Sequence, residues 1–404
     1  MEKDILFLCQ FFYPEYNSSA TLPFDTAKYL AANGYKVGAL CGYPKEYSNA
    51  SKVPLHEIVD GVDIHRLKYV ELDRKKTIGR LINYFSFTAA AVLNISELRK
   101  YKSVIVYSNP PILPIVPLLA KKLFHTKFVF VAYDVYPEVA YASKSLTPGD
   151  PIDKVMKIIN RKLYKKASGV VALTEEMQRF LLDNRKGLKE KKTFVIPNWA
   201  HEKETAVSND AYSRFGYTSN QFVVSYFGNM GTCQDMDTLM GAAERLKDNE
   251  NVRFLIVGHG NKKDSISDRI KEKGLNNVQL MDFLTGEDFE KAVAVSSCCV
   301  ASLEKGLMGT CAPSKYYSYL QGGHPVLAVV EPESYLAKEV EEEHIGYAVP
   351  VGDSEKLEYK ILAMASNTEA VKEMGMRAKA LYANNYDIEI CLKKYVDLFK
   401  EILR

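Results

Sequence analysis

The sequence predicts two doubly wound α/β domains in tandem. Three observations carry the prediction: short runs rich in Val, Ile, Phe and Tyr alternate with segments of helical period, the alternation occurs twice, and a polar stretch separates the two series. The first series reads ILFLC (5–9), KVGALC (36–41), VDIHRL (62–67), SVIVYS (103–108), KFVFVAYD (127–134), GVVAL (169–173) and TFVIPN (193–198). The second reads VVSYFG (223–228), VRFLIVG (252–258), VQLMDF (278–283), CCVASL (298–303), PVLAVV (325–330) and IGYAVPV (345–351). Residues 199–220 lack a sustained apolar stripe and are the expected linker, dividing a domain over 1–200 from one over 201–386. Ile388, Leu392, Tyr395, Phe399 and Ile402 recur at spacings of four and three, so the last segment is an amphipathic helix. Two such sheets face each other across a cleft lined by the carboxyl ends of their strands, where α/β sheets bind ligands. Two independent binding domains would show the same rhythm.

Composition bounds the remaining classes. With 404 residues, 47% hydrophobic and 25% charged, the chain is globular, which excludes collagen-like and disordered readings. Its seven cysteines are scattered and form no CxxC, so a reducing, cytoplasmic compartment is expected. The opening residues lack the layout of a signal peptide, and the apolar stretch 104–120 is broken by four prolines. Charge is split: residues 1–200 hold 30 Lys+Arg against 19 Asp+Glu, and residues 201–404 hold 23 against 31. The basic half suits anionic partners such as phosphates or the inner face of a plasma membrane, and a solvated basic surface reads the same way. No nucleic-acid-binding signature accompanies the charge.

The loops after strands hold the candidate chemistry. In YFGNMGTCQDMDTLMG (226–241), Gly228 and Gly231 permit close backbone approach, and the following helix start would favour a phosphate. Asp235 and Asp237 have the form of a metal-binding DxD, but both sit where a helix begins and capping is the preferred reading. His259 lies between two glycines in IVGHGNKK. In CAPSKYYSYLQGGHPV (311–326), Pro313 opens a helix beside Ser314 and Lys315, and an amine at a helix start implies an anion sharing the site. In the first half, Asp134 and Glu138 follow a strand, as Ser108 and Asn109 do one unit earlier; Asp134 is placed for a sugar hydroxyl, and Glu138 also suits the start of a helix. The segment 74–87 joins Arg74, Lys75, Lys76 and Arg80 to Leu81, Ile82, Phe85 and Phe87, either an interfacial pattern or an ordinary amphipathic helix.

With these residues laid out, the chain resembles a bacterial sugar transferase of the GT-B fold, in the large retaining glycosyltransferase family four. The likeness is to the branch serving O-antigen, capsule or exopolysaccharide synthesis. It is carried nearly end to end by FFYPEYNSSATLPFDTAKYLAANGYKV, YDVYPE, LTEEMQRFLL, VIPNW, YFGNMG, FLIVGHG, NNVQLMDF and PSKYYSYLQGGHPVLA.

The resemblance implies two Rossmann-like domains facing across a cleft, with a C-terminal helix (387–404) crossing back to the first. It implies a nucleotide-sugar donor, UDP-linked by expectation, on the second domain. Gly228, Asn229 and Gly231 resemble the diphosphate loop, Ser314 and Lys315 the phosphate contacts, and Phe283, Leu284 and Thr285 the segment packing on the nucleobase, with His259 and Ser318 on the same side. Asn17, Ser18, Ser19 and Asp134 fall on the acceptor side, the acceptor being a saccharide on a lipid diphosphate; Asp134, Glu138 and Lys315 are the expected catalytic set. No metal or other cofactor is expected. Two departures stand out: the family's paired glutamates are Thr310 and Ser318 here, and its double glycine after the first strand is Asn17-Ser18-Ser19. The expected activity is hexosyl or N-acetylhexosaminyl transfer with retention. A nucleotide-sugar epimerase of similar fold and a catalytically silent saccharide- or nucleotide-binding scaffold are the alternatives.

Overall fold

A computed structural model describes residues 3–44, 52–72, 77–200 and 209–404. Arg74, Lys75 and Lys76, and residues 201–208 of the polar stretch, lie outside the described residues.

The first sheet is built from β1 (Lys3–Cys9), β2 (Val37–Gly42), β3 (His56–Val59), β4 (Val62–Leu67), β5 (Tyr101–Tyr107), β6 (Lys127–Ala132), β7 (Gly169–Ala172) and β8 (Thr193–Val195). Their order is β3-β4-β2-β1-β5-β6-β7-β8, parallel except for β3. The second sheet holds β9 (Phe222–Asn229), β10 (Val252–His259), β11 (Val278–Met281), β12 (Cys298–Ser302), β13 (Val326–Val329) and β14 (Gly346–Val349), in the order β11-β10-β9-β12-β13-β14 and wholly parallel.

Helices α1 (Ser18–Ala32), α2 (Thr77–Leu93), α3 (Ile115–Phe124), α4 (Glu138–Ala142), α5 (Pro151–Lys166) and α6 (Glu175–Asn184) belong with the first sheet. Those of the second are α7 (Asn209–Phe215), α8 (Asp237–Arg245), α9 (Lys263–Lys273), α10 (Gly286–Ala294), α11 (Lys315–Gln321), α12 (Tyr335–Glu342), α13 (Ser354–Ala365) and α14 (Thr368–Leu381), followed by α15 (Ile388–Leu403). Parallel strands covered on both faces are apolar where they are buried, and β1 shows it over 5–9. Ile5, Phe7 and Cys9 pack towards α1 and α15, while Leu6 and Leu8 pack towards α2, α3 and α5.

The C-terminal helix returns to the first lobe as the resemblance implies. Leu392, Tyr395, Phe399 and Ile402 are buried in the core that holds Ile5 and Phe7, and Lys127 Nζ donates to the Ile402 carbonyl at 2.7 Å. Two elements were not expected from the sequence. Strand β3 pairs with β4 through a tight turn in which Asp60 and Gly61 have φ of 49° and 80°, the geometry an Asp-Gly pair favours. Helix α7 rises inside the polar stretch because Ala211, Phe215 and Tyr217 find a buried seat in the second core.

Candidate active site

The strand order reverses between β1 and β5 in one sheet and between β9 and β12 in the other, and loops diverging there open a crevice. The loop after β1 ends at Asn17, with Ser18 and Ser19 opening α1, while β9 ends in Gly228 and Asn229 and the loop beyond it carries Gly231. The structure joins the two lobes at this point. Ser18 and Leu22 of α1, Trp199 and Ala200, and Ser314, Lys315 and Ser318 line one crevice.

A Cβ placed on Gly228 would lie 3.8 Å from Lys315 Cγ, so the glycine turn packs beside the stem of this lysine. Lys315 Nζ sits 4.8 Å from the centre of the Phe289 ring. Helix α11 begins at Lys315, two residues later than the expected start at Pro313, because Tyr316 N–H bonds back to the Pro313 carbonyl as a turn. The neighbouring glycine turn is interlocked with the first. A Cβ on Gly258, whose φ is 152°, would fall 1.8 Å from the Gly228 carbonyl oxygen. Met230 N–H donates to the His259 carbonyl at 2.6 Å, and Gly231 N–H donates to Gln234 Oε1 at 3.1 Å. The cradle is thus closed on itself at these two amides, and the Gly231 amide reaches an anion only when Gln234 turns aside.

Asp235 accepts from Thr238 N–H at 3.1 Å and from its hydroxyl, which ties it to the first turn of α8, while Asp237 is exposed and pairs with Arg269 at 3.2 Å. The carboxylates go separate ways, as capping predicts. Phe283 is 46% exposed and lies between the His259 ring, edge-on at 5.8 Å, and Tyr16 of the first lobe, stacked at 6.4 Å. Leu284 is half-buried and packs in part against the second core.

Asp134 lies two residues beyond β6, where its backbone bridges to Cys311 of the second lobe and Val135 N–H donates to the Thr310 carbonyl at 2.7 Å. Ser108 Oγ holds the turn by accepting from the N–H groups of Tyr133 and Asp134 at 3.1 and 3.0 Å. Loss of solvation pushes the Asp134 carboxyl up to about 6. Burial raises the Cys233 and Cys311 thiols, and the Asp134 charge raises them further, which places the carboxyl opposite the loop that follows Gly231.

Glu138, expected in the catalytic set, is held in an ion pair. It opens α4 and is bound by Arg185, whose guanidinium also reaches the Tyr136 carbonyl at 3.3 Å and lies over the Tyr164 ring. Its carboxylate is committed to that buried cation. Asn17 precedes α1 without capping it, and both polar atoms of its side chain are buried without a partner among the described residues. Thr310 is buried and donates its hydroxyl to the Leu307 carbonyl at 2.7 Å, whereas Ser318 faces the crevice.

Sequence reasoning missed Glu176, which reaches from α6 into the second lobe and accepts from Gly309 N–H at 2.9 Å and Tyr335 N–H at 2.8 Å. An acid in the first turn of a helix reads as a partner for its dipole, which hides this second use. Tyr16 and Trp199 were also missed as walls of the cleft.

Two family profiles match the chain, one described as "Glycosyl transferase 4-like domain" over residues 24–199 and one as "Glycosyl transferases group 1" over residues 221–367. A probable glycosyltransferase of Pseudomonas aeruginosa, WbjE, is 23% identical over 352 residues, covering 85% of each chain. A putative colanic acid biosynthesis glycosyl transferase of Escherichia coli, WcaI, is 22% identical over 80% of this chain and 81% of its own. The structure of Anabaena HepE in complex with UDP-glucose superposes with a TM-score of 0.73 at 16% identity, covering 99% of this chain and all of the other.

Proposed function

The chain belongs to the group 1 glycosyltransferases, family four, with the GT-B fold, and from that membership we propose that it moves a hexosyl or N-acetylhexosaminyl group from a UDP-linked donor to a saccharide hydroxyl, with retention, in cell-surface polysaccharide synthesis. The observation that carries the proposal is the crevice in which Ser314 and Lys315 of the second lobe meet Ser18 of the first, with Gly228 packed beside the Lys315 stem. When the bond from the anomeric carbon to the diphosphate oxygen breaks, negative charge gathers on that oxygen. Lys315 supplies a cation there, the Ser314 and Ser18 hydroxyls and the Gly231 amide supply donors, and Gln234 is the group that a diphosphate displaces. The acceptor oxygen bonds to the same face of the carbon and its proton passes to the leaving phosphate oxygen. Asp134, as a carboxylate, accepts from the acceptor hydroxyl and fixes its approach. Phe283 offers an exposed aromatic face to the base.

Lys315→Ala tests this. Turnover with a UDP-sugar and a lipid-linked saccharide is expected to fall by about 10²–10³, the loss seen when one transition-state donor is removed, and full turnover would refute it. Thr310 and Ser318 stand where the family carries acids, which keeps the silent-scaffold reading open to one result: tight UDP-sugar binding with no transfer to any acceptor.

A lipid-linked acceptor would bring the first lobe to a membrane surface. Among the described residues no helix is long and apolar enough to cross a membrane. Helices α2, α3 and α5 lie together on one face of the first sheet. They carry nine Lys or Arg and a single acid, Asp153, which is buried against Tyr141 and Lys157. Their outer side exposes Ile78, Phe85, Leu123, Val155 and Ile158. Exposed apolar side chains on helices this rich in cations fit an anionic bilayer leaflet, at about 1 kcal/mol for each cation near the surface.

A further inference from the structure

We propose that the edge hairpin of the first sheet carries a site for one divalent transition ion of the Zn²⁺ class, held by His56, Asp63 and His65. Strands β3 and β4 pair with His56 directly opposite His65, and Asp63 precedes His65 by two residues, on the same face of β4. The two imidazoles meet edge to face with centres 4.2 Å apart. His56 Nε2 is 2.6 Å and His65 Nε2 4.0 Å from the same oxygen, Asp63 Oδ1, and one donor atom from each residue lies within 4.8 Å of the other two.

A four-coordinate ion with bonds of about 2.0–2.1 Å keeps its ligands about 3.3 Å apart. One of the two measured separations must therefore open, and the other close, by roughly 0.7 Å, which side-chain rotation supplies without disturbing the strand pairing. The ion takes the Nε2 lone pair of each ring, so the hydrogen bond between His56 and Asp63 gives way and each imidazole keeps its proton on Nδ1. Two imidazoles and one carboxylate suit Zn²⁺ and its neighbours better than Mg²⁺ or Ca²⁺, which prefer oxygen alone.

The supporting contacts fit a ligand set. Lys3 Nζ holds Asp63 Oδ2, with Tyr101 Oη at 3.4 Å behind it, leaving Oδ1 turned towards the rings. The His65 ring has no hydrogen-bond partner among the described residues. The side chains of His56 and His65 are 57% and 42% exposed, so the remaining position is open to water. Lys3 and Asp63 lie at the amino ends of β1 and β4, the opposite end of the sheet from the crevice. The ion therefore fastens an edge hairpin and stands apart from sugar transfer.

Calorimetric titration of the untagged full chain with ZnCl₂ tests the proposal, alongside His56→Gln, His65→Gln and the double variant. These substitutions are at exposed ring positions and leave the Lys3 to Asp63 contact in place. The expected result is one ion per wild-type chain, binding at least tenfold weaker in each single variant and absent from the double. A rise in melting temperature with Zn²⁺ is expected in the wild type alone. Co²⁺ in the same site should give a visible spectrum without a thiolate charge-transfer band, separating it from the free cysteines. Equal Zn²⁺ binding by wild type and double variant, or none by the wild type, would overturn the assignment.

Discussion

Replacing Asp134 by asparagine should raise the stability of the protein while removing its activity. The carboxyl is pushed from 3.8 to about 6 by lost solvation alone. About two pKa units at roughly 1.4 kcal/mol each make the ionised group cost the folded chain about 3 kcal/mol. Asp134 keeps partial contact with solvent through the cleft, so that figure is a ceiling. The sign follows from linkage: the folded state holds the proton more tightly than the unfolded state, so stability is greatest below about pH 4 and is lost as pH rises through about 6. An amide at this position carries no charge, so the loss disappears with it. At pH 8 the Asp134→Asn variant should melt several degrees above wild type, the gap narrowing as pH falls below 6. The same change removes the carboxylate proposed to orient the acceptor, so kcat/KM should drop by about 10²–10³. In the wild type kcat/KM should fall about tenfold per pH unit below about 6, a limb the variant lacks. Differential scanning fluorimetry across pH 5–8 beside initial rates reads both effects. A variant no more stable at pH 8, or one that keeps its turnover, would refute the reasoning.

Two further outcomes follow from particular contacts. Gly258→Ala would drive a Cβ to 1.8 Å from the Gly228 carbonyl at a φ that side chains rarely adopt. Overpacking and backbone strain together should cost on the order of 3 kcal/mol and abolish UDP binding, read by melting and by calorimetry; a native-like Gly258→Ala protein would contradict the interlocked turns. Val155→Glu with Ile158→Glu on the exposed side of α5 should cut cosedimentation with phosphatidylglycerol vesicles at least tenfold and leave the weak association with phosphatidylcholine unchanged.

How much of this was legible in the sequence depends on how local the physics is. The strands of both sheets were readable because parallel strands buried on both faces carry an apolar run, as β1 does over 5–9, β5 over 104–107 and β10 over 254–257. The β3–β4 hairpin was readable in principle from VDGV, where Asp60 and Gly61 take the positive φ values of a tight turn, but β3 itself alternates weakly and sits at an edge. Lys315 and Gly228 belong to loops nearly ninety positions apart, and only the shared switch point of the second sheet brings them together. The commitment of Glu138 to Arg185 and the reach of Glu176 across the cleft are tertiary facts that composition and periodicity do not encode. The engagement of the Gly231 amide by Gln234 is of the same kind.

The proposed function turns on Lys315 meeting the diphosphate of the donor in the crevice between the lobes. Calorimetry of UDP and of uridine, on wild type and on Lys315→Ala, tests it most directly. The wild type should bind UDP far more tightly than uridine, and Lys315→Ala should lose at least tenfold for UDP while its uridine affinity stays the same. An unchanged preference for UDP over uridine in Lys315→Ala would contradict the account.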